Sequence, residues 1–151
     1  MYISKVDFID LEQILKLQYL AYQSEAKLHN NYSIPPLMQT LEDVQKEFQD
    51  GIILKATDDT GVIVGSVRGY TKDNTLYIGK LIVHPEYQGR GISTKLMQMI
   101  ESQYPSHRYE LFTSDKSVKN LAIYEHLGYS RFKEISVTPE LKLIYLEKNT
   151  K

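Results

Sequence analysis

The stretch "LIVHPEYQGRGISTKLMQMIES" (residues 81–102) decides how this chain folds. An apolar run of strand character stops at His84-Pro85, and a short polar turn leads to Gly89-Arg90-Gly91. Beyond it Ile92, Leu96, Met97 and Ile100 recur at helical spacing, so a strand passes into a helix through "QGRGIS". Two readings of that turn are open: a tight turn built by glycines, or a cradle of main-chain N–H groups for a phosphate. The first N–H groups of a helix lack partners and carry partial positive charge. A glycine-rich approach lets further N–H groups converge on the same point, with no Cβ to hold a diphosphate away. Arg90 can add charge from the side. A P-loop would need Lys-Ser/Thr after its last glycine, where Ile92-Ser93 stands, and a dinucleotide fingerprint would need a third glycine at Thr94. Neither pattern is met.

Working outward, "IILKAT" (52–57), "VIVGSVRGY" (62–70) and "LYIGKLIV" (76–83) are β-rich runs parted by the turns "DDTG" and "TKDN". They predict an antiparallel meander. Earlier, "YISKVDF" (2–8) alternates as a first strand. Asp10, with Gln13 three residues on, is placed to cap a helix that carries Leu11, Ile14, Leu15 and Leu17 to about Ala21. The asparagines and prolines of "HNNYSIPP" (29–36) are read as ending helical structure. Thr40 opens a second helix with Leu41, Val44 and Phe48 on one face, and Gly51 stops it. Downstream, the helix of the opening stretch ends before Pro105, and "YELFTS" (109–114) is a short strand. "SVKNLAIYEHLG" (117–128) is a helix, and "YSRFKEISV" and "LKLIYLE" mark two closing strands. The order β-α-α-β-β-β-α-β-α-β-β describes an α/β (α+β) domain, with helices on a mixed, mostly antiparallel sheet. The run from 76–83 through 91–103 to 109–114 is a βαβ crossover, which makes its two strands parallel neighbours. Strand ends that part at such a place make a slot.

A chain of 151 residues suits a single domain, 1–151. Hydrophobic residues at 42% and charged residues at 25% are ordinary for a globular protein. With a formal net charge of −1 there is no electrostatic case for a nucleic-acid partner. The absence of cysteine excludes disulfides and thiolate zinc sites, no metal is expected, and a cytoplasmic location agrees with it. The N-terminus does not read as a signal peptide. No segment approaches the ~20 apolar residues of a spanning helix, so no membrane partner is expected.

A second constellation bears on the turn. "NLAIYEHLGY" (120–129) sets Tyr124 inside a helix, just ahead of Gly128-Tyr129. Taken alone, Tyr124 reads as a core or boundary tyrosine. Together the two segments resemble the GCN5-related N-acetyltransferase family, the GNAT superfamily. Its signature Gln/Arg-x-x-Gly-x-Gly/Ala appears as Gln88-Gly89-Arg90-Gly91-Ile92-Ser93, with Ser93 where Gly or Ala is usual. "LIVHPEYQ" is similar to the strand and loop before that signature, and the Asn-x-x-x-Tyr-x-x-x-Gly-Tyr run at 120–129 resembles a second family segment. The resemblance spans nearly the whole chain and is strongest from 76 to 130.

The resemblance implies an acyl-CoA N-acyltransferase fold, with acetyl-CoA as co-substrate. It also implies acetyl transfer to a primary amine, carried by a small molecule or a peptide; with no cysteine to carry the acetyl group, direct transfer in a ternary complex is expected. Main-chain N–H groups of Gln88, Gly89, Arg90, Gly91, Ile92 and Ser93 would hold the pyrophosphate. Backbone groups of Leu81, Ile82 and Val83 would follow the pantetheine arm, one N–H polarising the thioester carbonyl. Asn120 would touch the cofactor from the opposite side, and Tyr124 would be the general acid facing the sulfur. Two glutamates used as bases by relatives are replaced, by Tyr77 and Phe112. The remaining base candidates are Glu25, His29 and His84, which read equally as a solvated helix residue, a loop-surface residue and a turn-shaping residue; of these Glu25 is carried forward as a candidate base. Residues 21–48 are expected to cover the cleft, as an acidic pocket for a cationic amine or as a structural cap. A sensor module that binds acetyl-CoA or acyl-CoA without turnover is the alternative, favoured by the missing glutamates. A monomer or a homodimer fits equally.

Overall fold

A computed structural model describes residues 1–150. β1 (Tyr2–Lys5) is shorter than its alternation suggests, because Phe8–Asp10 turn into a short 3-10 helix ahead of α1 (Leu11–Ala21). Asp10 does not cap α1. Its carboxylate instead accepts the Asp7 N–H at 2.8 Å and the Lys55 ammonium at 2.7 Å, which pins the start of the helix to the sheet. The chain then forms α2 (Gln23–His29) and the single turn α3 (Pro35–Met38). Asn30, at φ 48°, ends α2 as expected of an asparagine, but Pro35-Pro36 begin a helix where they were expected to end one. Proline costs nothing at a first helical position, where its missing N–H would have had no partner. The observed order therefore has two more α-helices than the sequence suggests. α4 (Leu41–Asp50) opens on the expected box, with Asp43 N–H donating to Thr40 Oγ1 at 3.2 Å and Thr40 N–H to Asp43 Oδ2 at 2.8 Å.

β2 (Ile52–Thr57), β3 (Ile63–Lys72) and β4 (Thr75–Val83) form the antiparallel meander. α5 (Ile92–Gln103) crosses to β5 (Arg108–Ser114), α6 (Val118–His126) follows, and β6 (Ser130–Thr138) and β7 (Leu141–Asn149) close the chain. The seven strands are ordered β1-β2-β3-β4-β5-β7-β6, with β4 and β5 the parallel pair. Apolar residues on alternate sides of the strands fill two cores. One lies between the sheet and α5 and α6, around Leu76, Leu96, Met97, Ile100, Leu121 and Tyr124. The other lies under α1 and α4, around Leu11, Ile14, Val44, Ile53 and Ile82. Among the described residues no helix is long and apolar enough to cross a membrane.

Candidate active site

The sheet opens in its middle. β4 and β5 pair only through Thr75↔Arg108, Leu76↔Tyr109 and Tyr77↔Glu110. Beyond those residues β4 runs on to Val83 and β5 to Ser114 without pairing, so main-chain groups of β4 that face β5 have no strand partner. On its other edge β4 stays tied to β3, through Gly65↔Val83 and Ser66↔Ile82, with one extra β4 residue between Gly79 and Ile82. The side chains of Ile82 and Val83 are buried in opposite cores and Leu81 is half-buried, which leaves their backbone as the part able to meet a ligand.

β4 ends at the mouth of α5. His84 Nδ1 accepts the Glu86 N–H at 3.1 Å, so His84 shapes this turn and its Nδ1 is not free to act as a base. Gly89 and Gly91 both sit at φ 78°, a left-handed conformation costly for any residue with a Cβ. A Cβ built on either would meet nothing within 4 Å: it is the conformation that calls for glycine here, and the space in front of the turn is open. Lys95 N–H bonds back to Gly91, but among the described residues no protein acceptor takes the N–H groups of Gln88, Gly89 or Gly91 through Thr94. The glycine-built turn and a run of unpartnered amides thus coincide at this one place. Arg90 lies over the Tyr87 ring at 4.8 Å, and Ile92 is buried, so both offer the mouth only their backbone as they stand. Ser93 is half-buried within the first helical turn.

Across the gap, α6 presents Ser117, Asn120 and Tyr124 on one face, three and seven residues apart. Asn120 is half-buried, and its side chain has no protein partner among the described residues. Tyr124 is 6% exposed. Burial first, then the neighbouring Tyr22 and Glu25, push its phenol well above the usual tyrosine range, so it stays protonated and able to donate. Glu25 on α2 is drawn into the same place: Ser117 Oγ lies 2.6 and 2.7 Å from its two carboxylate oxygens at the start of α6, where a negative charge is favoured. His29 is one turn on, its Nε2 2.7 Å from Ser114 Oγ, while its Nδ1 is buried without a partner. That leaves His29 tying α2 to the end of β5 rather than lying on loop surface.

On the α1 side of β4 lies a network that sequence reasoning passed over. Arg68, 5% exposed, donates to Glu47 at 2.8 Å and to Gln39 at 3.1 Å, and also bonds Gln18. Glu47 takes the Lys80 ammonium at 2.9 Å on its other oxygen. Burial alone would raise the Glu47 carboxyl, but Arg68 and Lys80 with Gln39 outweigh it and hold the group below its usual range. Tyr22 sits between the two clusters. Burial raises its phenol, and it feels Arg68, Glu25 and Glu47. Arg68 was legible as a lone charge inside "VIVGSVRGY". Ser117 was legible as a polar residue seven positions, about two helical turns, before Tyr124. Tyr77 stacks on Tyr70 at 5.1 Å, and Phe112 is 53% exposed.

Comparison with known proteins agrees with this fold. The model of the acetyltransferase (GNAT) family matches residues 11–129. The curated UPF0157 protein YqkA of Bacillus subtilis (strain 168) is 23% identical over 132 residues, which is 87% of this chain. The chain spans 38% of that relative's length. The crystal structure of an acetyltransferase of the GNAT family from Staphylococcus aureus Mu50 superposes with TM-score 0.78 at 20% identity, over 99% of each chain. The PaiA N-acetyltransferase of Thermoplasma acidophilum, crystallised in complex with coenzyme A, superposes with TM-score 0.79 at 17% identity, over 99% of this chain and 98% of its own. At these identities the likeness is one of fold.

Proposed function

This chain belongs to the acetyltransferase (GNAT) family, and on that premise we propose that it transfers the acetyl group of acetyl-CoA to an amine acceptor. The observation that carries the reading is the fork between β4 and β5, with unpartnered amides at the mouth of α5 on one side and Tyr124 with Glu25 on the other. The N–H groups of Gln88 to Ser93 suit a pyrophosphate in number, sign and openness. Backbone groups of Leu81 to Val83 lie along the path from that mouth into the fork, and Asn120 faces it from α6.

Bound acetyl-CoA supplies an activated thioester carbonyl. A primary amine acceptor with a pKa of about 10.4 arrives protonated and must lose a proton before it attacks. Glu25 takes that proton, directly or through water, from its place beside Ser117. A main-chain N–H of β4 at Ile82 or Val83 donates to the carbonyl oxygen as charge gathers there. Tyr124 gives its phenolic proton to the departing sulfur. Transfer is direct, since the chain has no cysteine to carry the acetyl group. The acceptor is a small-molecule or peptide amine, met by the side of the cleft that holds Tyr22, Glu25 and Glu47.

Incubation with acetyl-CoA and a panel of amines, spanning polyamines, aminoglycosides, amino acids and short peptides, tests the reading by release of free CoA thiol. Amine-dependent release is expected. Micromolar CoA binding with no release for any acceptor would favour the sensor reading, and no binding at all would remove both.

A further inference from the structure

The bulge in β4 poses a question of placement. Between the pairs Arg68↔Gly79 and Ser66↔Ile82, β3 has one residue and β4 has two, Lys80 and Leu81. A bulge of this kind turns the chain through one residue of unusual conformation. Here that residue is Lys80, at φ 47°. Its neighbour Gly79 would adopt a left-handed conformation at no steric cost, yet it lies outside that region. A Cβ on Gly79 would meet nothing within 4 Å. The backbone therefore puts its strain on the lysine and spares the glycine beside it. The side chain supplies a reason. Lys80 Nζ lies 2.9 Å from Glu47 Oε1, and Glu47 is itself held by the buried Arg68 at 2.8 Å and by Gln39 at 2.9 Å.

We propose that the Lys80–Glu47 pair fixes the bulge on Lys80 rather than Gly79, and so aims the following amides, Leu81 to Val83, into the fork. Lys80 is then a positioning residue for the transfer step, and this inference rests on the acetyl-transfer reading. Without the ammonium, the left-handed turn moves back to Gly79. The peptide planes on either side of Lys80 rotate, and the N–H that meets the developing oxyanion loses its aim. Binding of CoA is spared, because its diphosphate is held at α5.

Three variants test this: Lys80→Met, Gly79→Ala and the double variant. Lys80→Met keeps the aliphatic stem and leaves Glu47 on Arg68. It should lower kcat by about 10- to 100-fold, as expected of a misaimed donor, and leave the calorimetric Kd for CoA within about 2-fold. Gly79→Ala should match wild type, since the methyl enters open space at a residue that is not left-handed. In the double variant an alanine resists the left-handed turn, the bulge returns to position 80, and kcat recovers to within a few-fold. A crystal structure or backbone NMR of Lys80→Met should find position 79 left-handed. Unchanged kcat in Lys80→Met, failure of Gly79→Ala to rescue it, or a bulge still at position 80 would each overturn the proposal. Should the wild-type protein transfer no acetyl group at all, it is the functional reading that fails. The bulge position in Lys80→Met, read without turnover, still decides this one.

Discussion

At the scale of single residues, the opposite roles proposed for two groups follow from where they are buried. Tyr124 and Glu25 lie near each other, but Tyr124 is almost wholly buried while Glu25 keeps a partly exposed carboxylate, 20% accessible, on the Ser117 hydroxyl. A phenol held above its usual range stays protonated at neutral pH. It is suited to donate and unsuited to accept. Tyr124→Phe should therefore cut kcat by about 10²–10⁴-fold, the span of general acid–base catalysis, while CoA affinity measured by calorimetry stays within about 3-fold. An unchanged kcat would remove Tyr124 from the acid role. Glu25→Gln should lower kcat with little change in the acetyl-CoA KM, read in steady-state kinetics. Tyr124 was legible in the sequence from its segment at 120–129. The company it keeps was not, because the contact of Glu25 with Ser117 joins positions 92 residues apart, and no spacing pattern reports such a pair.

At the scale of elements, the decisive unit is the strand–turn–helix from β4 to α5. Its sequence is explicit: two glycines at φ 78° and a helix whose apolar face is unambiguous. That is why residues 76–103 were read nearly to their ends. Gly91→Ala puts a Cβ on a left-handed residue, a strain of about 1 kcal/mol. It also tilts the first amides of α5, so the Kd for CoA should rise tenfold or more by calorimetry, with helix content by circular dichroism unchanged. Elements specified by weaker signals were misread. The prolines at 35 and 36 are ambiguous between ending one helix and starting another, and only the packing of α3 beside α1 decides between them. Thr40 is the contrasting case, since its box with Asp43 is written in four consecutive residues. Thr40→Ala should cost about 1 kcal/mol of unfolding free energy in urea titration.

At the scale of the whole molecule, Asp10 and Glu47, which tie helices to the sheet, and Asp58, which ties the β2–β3 turn to Tyr87, are held below their ordinary range. For Asp58 the Thr60 hydroxyl, then main-chain N–H groups, bring it to about 2. For Glu47 and Asp10, burial works upward but the paired cations and hydrogen bonds win. A carboxyl depressed on folding contributes stability that is fully present above its unfolded value, near 4. That stability is lost as pH falls through the folded value. Urea midpoints should therefore change little between pH 5 and 8 and drop steeply between about pH 4 and pH 2, with α1 and α4 loosening from β2 and β3. A midpoint indifferent to acid would show that these pairs do not hold the layers. The layered architecture itself was legible, because the meander and the crossover each follow from the order of elements. The fork was legible only as an expectation from that order, because where two strands stop pairing depends on the helices packed beneath them.

The account as a whole depends on the amides at the mouth of α5 gripping a diphosphate. A crystal structure with coenzyme A bound is the direct test. The account predicts pyrophosphate oxygens about 2.7–3.2 Å from main-chain nitrogens among Gln88 to Ser93, with the thiol in the fork facing Tyr124. A coenzyme A molecule seated elsewhere, with those amides turned away from it, would contradict it.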